Sequence, residues 1–136
     1  MSAGETNNGI RILAATRGVN ETMDRLETLA KGRGLKVFAR INFAGDAAAA
    51  GLALQPTQLL ILGSPVAGTP LMVAAPGAAL DLPLKVLAWQ DAANRCWVSF
   101  NTPEYLQQRH GFPAQLVANI AGLEKLVRAA IAYDPE

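Results

Sequence analysis

An unbroken apolar run, Leu59–Leu62, constrains the fold of this chain more than any other stretch. The run is apolar at both strand parities, which is typical of a central strand that is buried on both faces. Glycine and proline residues interrupt it at once, in the segment Gly63–Pro70, and a second apolar run follows at Leu82–Trp89. The pattern predicts a central strand, a turn into a short helix and a further strand.

Alternating or helically spaced apolar residues predict the remaining elements. Two strands are expected at Ile10–Thr16 and Leu35–Phe43, and a hairpin is expected from Lys85–Gln90 and Arg95–Asn101. Helices are predicted at residues 20–32, 44–52, 70–75, 103–110 and 113–131, the last with the strongest apolar stripe. The order favours an α+β fold, a two-layer sandwich in which helices pack on one face of a largely antiparallel sheet of about five strands.

The domain limits follow from length and local polarity. A chain of 136 residues fits one domain, which we place at residues 10–132 after a flexible, polar tail at residues 1–9. The tail has no apolar core of a signal peptide, and no apolar run approaches the roughly 20 residues of a membrane span. We therefore expect a cytoplasmic protein that has no membrane partner.

Composition argues against several classes of function. Twelve Lys and Arg residues balance eleven Asp and Glu residues, so the chain lacks the positive charge that nucleic-acid binding needs. With a single cysteine, Cys96, no intrachain disulfide can form, and one cysteine with the single histidine, His110, cannot supply a zinc site of the usual structural type. We predict no metal and no cofactor. The small net charge of +1 does not oppose self-association.

Strand parity assigns side chains to two faces of the sheet. Phe38, Arg40 and Asn42 share a mixed face with Lys36, whereas the alternate residues of that strand form a dry face. A four-residue hairpin loop, 91–94, would place further apolar side chains on the mixed face, although a slip of one residue would reverse this.

The larger apolar residues of the mixed face are Phe38, Val86 and Trp97, with Ala88 beside them. Monomeric proteins seldom leave a large apolar patch uncovered. These residues therefore indicate either a dimer interface or the wall of a ligand pocket, and we favour the dimer.

Four motifs resemble the domain-of-unknown-function family 302, small bacterial and archaeal α/β proteins. They are Val37–Ile41, Gly63–Met72, Leu80–Leu87 and Arg109–Gly111. The resemblance extends over roughly residues 10–131 and implies a compact two-layer fold that tends to form dimers. It implies no activity, because the family has no established biochemical function.

The chain departs from the family pattern at one point. Where the family usually has Asp-His after Arg-Ile, this sequence has Asn42 and Phe43. A metal-binding or acid–base role of that pair therefore does not carry over.

Five residues are candidates for binding a small anionic ligand: Arg40, Asn42, Gly68, Thr69 and His110. A helix that begins at Thr69 would present free N–H groups, a guanidinium binds carboxylates, and histidine is the usual proton shuttle near neutral pH. Each has a structural alternative: a tight turn for the glycine–proline loop, an ion pair for Arg40 and a helix C-cap for His110.

The sequence favours a small homodimer that binds a small ligand or a protein without catalysis. The alternative is an enzyme or binding protein for a small anionic metabolite, with a site near Arg40, Asn42, Thr69 and His110. Catalytic residues are not identified. A metal- or redox-linked function is disfavoured by the lone cysteine and by Phe43.

Overall fold

The structure is a computed structural model that describes residues 4–5 and 8–132. Within them, the strands are β1 Gly4–Glu5, β2 Ile10–Ala15, β3 Lys36–Asn42, β4 Thr57–Gly63, β5 Leu84–Gln90 and β6 Cys96–Asn101. The helices are α1 Val19–Gly32, α2 Phe43–Ala49, α3 Pro65–Ala74, α4 Pro103–His110 and α5 Leu123–Ile131. Two 3-10 helices, Pro76–Asp81 and Ala114–Asn119, precede β5 and α5.

The described strands form one antiparallel sheet in the order β1-β2-β6-β5-β4-β3. The α+β class and the five longer strands were predicted. The sixth strand, β1, lies within the segment predicted to be a flexible tail, and residues 1–3, 6 and 7 of that segment lie outside the described residues. No helix in the described part of the chain combines the length and the apolar character needed to cross a membrane.

The main core lies between one face of the sheet and the helices α1 and α5, as the α+β prediction required. Its sheet side includes Leu60, Leu62, Val86, Ala88 and Val98. The helix side contains Val19, Met23, Leu26 and Ala30 of α1, with Leu123, Leu126, Val127 and Ala130 of α5. Burial of these aliphatic side chains is the dominant favourable term that holds the two layers together.

A second buried cluster lies beside the first and divides the last predicted helix in two. It contains Leu71, Ala78, Leu106, Phe112 and Ile120. In place of the predicted helix 113–131, the structure has a 3-10 helix that ends at Asn119 and the helix α5 that begins at Leu123. The chain breaks between them because the 3-10 helix packs into the second cluster and α5 packs into the main core.

The β5–β6 hairpin has a loop of five residues, 91–95, rather than the predicted four. The Asp91 carboxylate accepts hydrogen bonds from the backbone N–H groups of Ala93 and Arg95, each at 2.9 Å, and this turn accounts for the extra residue. As a result Trp89 pairs with Trp97, so the residues of β5 lie on the faces opposite to those predicted, whereas Cys96, Val98 and Phe100 of β6 lie on the dry face as predicted.

Val86 is consequently not an interface residue. It lies beneath the helices and is 0% exposed, so a role in contacts between copies is wrong. Trp97 lies on the other face, where its indole N–H donates to Asp91 at 2.8 Å and its ring stacks on Trp89 with centroids 6.4 Å apart. Trp97 is itself buried, which leaves little of it for a partner to contact.

Strand β3 contains a bulge that reverses its second half. The pairing with β4 slips between Val37 and Ala39, so Phe38 is the extra residue. Beyond the bulge Arg40 pairs with Leu60 on the helix-covered face, and Ile41 turns to the opposite face. The predicted alternation is therefore correct before Phe38 and inverted after it.

The face of the sheet opposite the helices, which we call the open face, is mostly apolar, although Thr57, Lys85 and Ser99 also lie on it. We define it by its partly exposed residues Ala39, Ile41, Leu59, Ile61, Leu87 and Trp89. None of them belongs to either buried cluster. Strand β4 is therefore buried on one face only, and the prediction that it is buried on both is wrong.

Candidate functional site

Arg40 is engaged in a structural network that joins β3 and β4 to α1. Its Nη1 lies 2.7 Å from an Asp24 carboxylate oxygen, its Nε donates to Gln58 at 2.8 Å and its Nη2 donates to Asn20 at 3.1 Å. The nearby Glu27 carboxylate has a pKa below its ordinary value because it accepts a hydrogen bond from Lys31 and, more weakly, from Arg40. Since every guanidinium nitrogen already has a partner, the structural ion pair accounts for Arg40.

Asn42 also has a local structural partner. Its side-chain oxygen accepts a hydrogen bond from the Gly45 backbone N–H at 2.9 Å and so caps the N-terminus of α2. The following residue, Phe43, is the first residue of that helix. The place where the chain departs from the family pattern is therefore a helix start.

His110 belongs to a partly buried polar cluster with Asp81 and Arg109 at the end of α4. Its Nε2 lies 2.6 Å from an Asp81 carboxylate oxygen, and Arg109 lies 3.2 Å from the same oxygen. The space beside Asp81 and His110, which Phe112 also lines, has no room for a water molecule. These contacts tie α4 to the 3-10 helix that ends at Asp81 and leave no room for a substrate.

Thr69 does not begin a helix, so the predicted helix start is wrong and the anion site predicted there loses the free N–H groups on which it was based. Helix α3 begins four residues earlier at Pro65, and the Ser64 hydroxyl caps it by accepting from the Ala67 N–H at 3.4 Å. Thr69 and Pro70 therefore lie inside the helix. Ser64-Pro65 has the same pattern as Thr69-Pro70, a capping residue followed by proline, and the helix begins at the earlier pair.

A cavity of about 520 Å³, which we call the cleft, opens beside α3. Met72 and Gly68 line it from α3, Leu62 and Leu84 from the sheet, and Leu123 from α5. Most of its lining is apolar, and the described residues that line it include no Asp or Glu. A cavity with this size and character can enclose a small organic molecule.

Small residues keep the cleft open where β4 runs into α3. A Cβ added at Gly63 would lie 3.5 Å from Pro83, and one added at Gly68 would lie 4.0 Å from Leu82. Both neighbours line the cleft. Larger side chains at these glycines would therefore fill space that is now open.

The structure separates the five candidate ligand residues. Gly68 and Thr69 line the cleft, whereas Arg40, Asn42 and His110 do not. Phe38, predicted at a dimer interface, also lines the cleft, and the Lys36 ammonium lies 4.8 Å from its ring centroid. Sequence reasoning missed Arg33 at the end of α1, and it missed the lining residues of α5 and of the segment before it because a single uninterrupted helix was predicted there.

Comparison with known proteins identifies the family. The family model described as "Domain of unknown function DUF302" matches residues 12–132. The chain belongs to this family. A crystal structure of an uncharacterized conserved DUF302 protein from Bacillus stearothermophilus covers 90% of this chain and 95% of its own, with a TM-score of 0.74 at 21% identity. That similarity establishes a shared DUF302 fold.

Sequence relatives of this DUF302 chain include longer proteins from Brucella. It is 39% identical over 104 residues to a protein of Brucella suis named "Fluoride-specific ion channel FluC 1" and to one of Brucella melitensis named "Fluoride-specific ion channel FluC 2". The match covers 76% of this chain in both cases. It covers 41% of the first relative and 38% of the second, so the chain spans about two-fifths of their length.

Proposed function

We propose that this DUF302 protein is a non-catalytic binding module that holds a small, largely apolar molecule in the cleft. The observation that carries the proposal is the cavity of about 520 Å³ with its apolar lining. Known small-molecule sites are clefts of roughly 300–1,000 Å³ with mainly hydrophobic walls. The alternative site at Arg40, Asn42, Thr69 and His110 finds no support in the contacts, because three of these side chains bind neighbouring residues.

Filling the cleft should abolish binding. In Gly68→Leu the new side chain would extend toward Leu82 across the cleft. We expect the affinity for a neutral apolar dye such as Nile red, measured by fluorescence titration, to fall at least about tenfold, or about 1.4 kcal/mol.

Two matched variants control this experiment. Gly68→Ala adds only a methyl group at ordinary contact distance, and Val73→Leu enlarges an exposed residue of the same helix. Both should bind the dye as the parent protein does. Undiminished binding by a folded Gly68→Leu protein would show that the dye, and the proposed ligand, do not occupy the cleft.

We further propose that two copies associate through the open face. Its aliphatic side chains are partly exposed and lie outside both buried clusters, and the net charge of +1 gives little repulsion between copies. This face replaces the predicted interface at Phe38, Val86 and Trp97. Of those three residues Val86 and Trp97 are buried and Phe38 lines the cleft.

A charge on the open face should separate the copies. Leu87 lies near the middle of the face, paired with Leu59 on one side and Ser99 on the other. We expect Leu87→Glu to sediment as a monomer at micromolar concentration, where the parent protein sediments as a dimer. Val66→Glu, at a residue of α3 that is 86% exposed, should leave the dimer intact. A parent protein that is monomeric under these conditions would rule the dimer out.

A second candidate function is an accessory role beside a fluoride channel. It is favoured by the 104-residue match to the Brucella proteins that carry that name. The test removes the matching segment from the Brucella suis relative, reconstitutes it in liposomes and measures fluoride efflux with an electrode. The role is supported if the fluoride efflux changes when the segment is removed and returns to its original rate when this chain is added. The role is rejected if neither the removal nor the addition changes the efflux.

A further inference from the structure

The cleft carries positive charge that no ion pair among the described residues neutralises. Arg33 and Lys125 line it, and both side chains are exposed. Neither forms an ion pair with any residue that the structure describes. Because the described lining contains no carboxylate, the two cations are the only formal charges that it presents to a ligand.

The pairing of α1 with α5 brings these two cations to the same end of the helix layer. Arg25 of α1 donates to the Ala130 carbonyl at 2.9 Å, and Arg17, just before α1, donates to the Ala132 carbonyl at 3.0 Å. The start of α1 therefore lies beside the end of α5, so the two helices run antiparallel. Arg33 at the end of α1 and Lys125 in the first turn of α5 then project from the opposite, shared end.

The carboxylates that are adjacent in sequence to cleft residues already bind other basic side chains. Glu124 binds Arg11 at 3.0 Å and Arg128 at 2.9 Å. Although its partial burial opposes ionisation, these two arginines hold the pKa of Glu124 below its ordinary value. Asp81, next to the cleft residue Leu82, is bound by His110 and Arg109. These acids are therefore not available to neutralise Lys125 and Arg33.

Aliphatic side chains line the cleft beside the cations. Leu35, Leu82 and Leu84 are partly exposed and leave apolar surface on the cleft side, whereas Leu62, Ile120, Leu123 and Leu126 also line it but are buried in the two clusters. An alkyl chain that displaces water from such a surface gains about 0.8 kcal/mol for each buried methylene group. The lining thus combines apolar side chains with two positive charges, those of Arg33 and Lys125.

We propose that the ligand of the cleft is an alkyl carboxylate, a fatty acid with its chain among the aliphatic residues and its head group between Arg33 and Lys125. This inference rests on the proposed binding function and adds the class of ligand. The guanidinium of Arg33 suits a carboxylate because it offers two parallel N–H donors, and the Lys125 ammonium adds a second charge-assisted contact.

Three probes with the same ten-carbon chain test the proposal: decanoate, decanol and decyltrimethylammonium. Calorimetric titration below the micelle concentration should show decanoate binding at least about tenfold more tightly than decanol, with the cationic probe weakest. Raising the salt concentration should reduce the difference in affinity between decanoate and decanol, because the charges of Arg33 and Lys125 are exposed to solvent and salt screens them. Decyl phosphate is included to separate a carboxylate site from one that prefers a phosphate monoester.

Charge-removing variants test whether Arg33 and Lys125 cause the preference for decanoate over decanol. The double variant Arg33→Gln/Lys125→Gln should bind decanoate and decanol about equally while keeping the affinity for decanol. Lys85→Gln is the matched control, since Lys85 is an exposed lysine that pairs with Ile61 and does not line the cleft. It should keep the full preference for decanoate.

The outcomes distinguish this inference from the function on which it rests. If decanoate and decanol bind the parent protein equally well, the carboxylate inference fails and the apolar binding function stands. Tighter binding of decyl phosphate than of decanoate, or an unchanged preference in the double variant, also overturns the inference. If none of the four probes binds, both the inference and the proposed function are rejected.

Discussion

Replacing Phe112 with alanine should lower the free energy of unfolding by about 3–5 kcal/mol, which is typical of a fully buried phenylalanine. Phe112 is 1% exposed and packs with Leu71, Leu106 and Ile120 in the second buried cluster. The substitution would leave a cavity among segments that have few other buried contacts. Urea unfolding followed by tryptophan fluorescence measures the loss.

Conservative variants make this prediction specific. Phe112→Leu keeps most of the buried volume and should lose less than half as much stability. Val66→Ala alters an exposed residue and should change stability by no more than about 0.5 kcal/mol. Because Leu84 contacts both clusters, we expect Phe112→Ala to unfold in a single transition. A loss below about 1 kcal/mol would contradict the packing described for the second cluster.

Replacing Arg40 with alanine should lower the free energy of unfolding by about 2–3 kcal/mol. Its guanidinium, 23% exposed, is shared by Asp24, Glu27 and Gln58, so its removal leaves several acceptors without their donor. Hydrogen bonds to charged groups contribute roughly 1.5–3 kcal/mol each, and partial exposure reduces that value. The same urea titration gives the difference.

Two further substitutions distinguish the contribution of the hydrogen-bond network of Arg40 from that of its charge alone. Arg40→Lys keeps the charge but not the planar set of donors, and we expect an intermediate loss. Asp24→Asn should cost little because the Asp24 side chain is 59% exposed. If Arg40→Ala were no more harmful than Asp24→Asn, the guanidinium would not be the centre of the network.

Local patterns were enough to predict most elements of this fold. The sequence Thr102-Pro103 marks the start of α4, where the threonine hydroxyl accepts from the Tyr105 N–H at 3.3 Å, and Gly111 ends that helix with a φ of 74°. Caps and left-handed glycines act within one turn, so they can be recognised without knowledge of the tertiary contacts.

The faces of the strands could not be predicted in the same way. In the β5–β6 hairpin one extra loop residue reversed the predicted faces of β5, and in β3 one bulged residue, Phe38, reversed the side on which later residues lie. Side-chain alternation has a period of two, so a single inserted residue exchanges the faces. That is why Val86 was expected on the surface and is buried, and why Arg40 faces α1.

The cleft was beyond sequence reasoning because it depends on distant segments. The apolar stripe of residues 113–131 is continuous and concealed the break before Leu123, where the chain passes from one cluster to the other. The candidate ligand residues Gly68 and Thr69 do line one side of the cleft, but the Arg33 and Lys125 side chains come together only through the pairing of α1 with α5.

Pro70, inside α3, has a consequence for how the cleft opens. Proline has no N–H, so the Val66 carbonyl lacks the intrahelical donor that residue 70 would otherwise supply. Helix α3 buries one residue, Leu71, whereas α1 buries five and α5 buries four. Elements with few buried contacts open at low free energy while the rest of the fold stays closed. Local loosening of α3 would therefore widen the cleft for an entering ligand, while the pair α1–α5 that presents the charges stays in place.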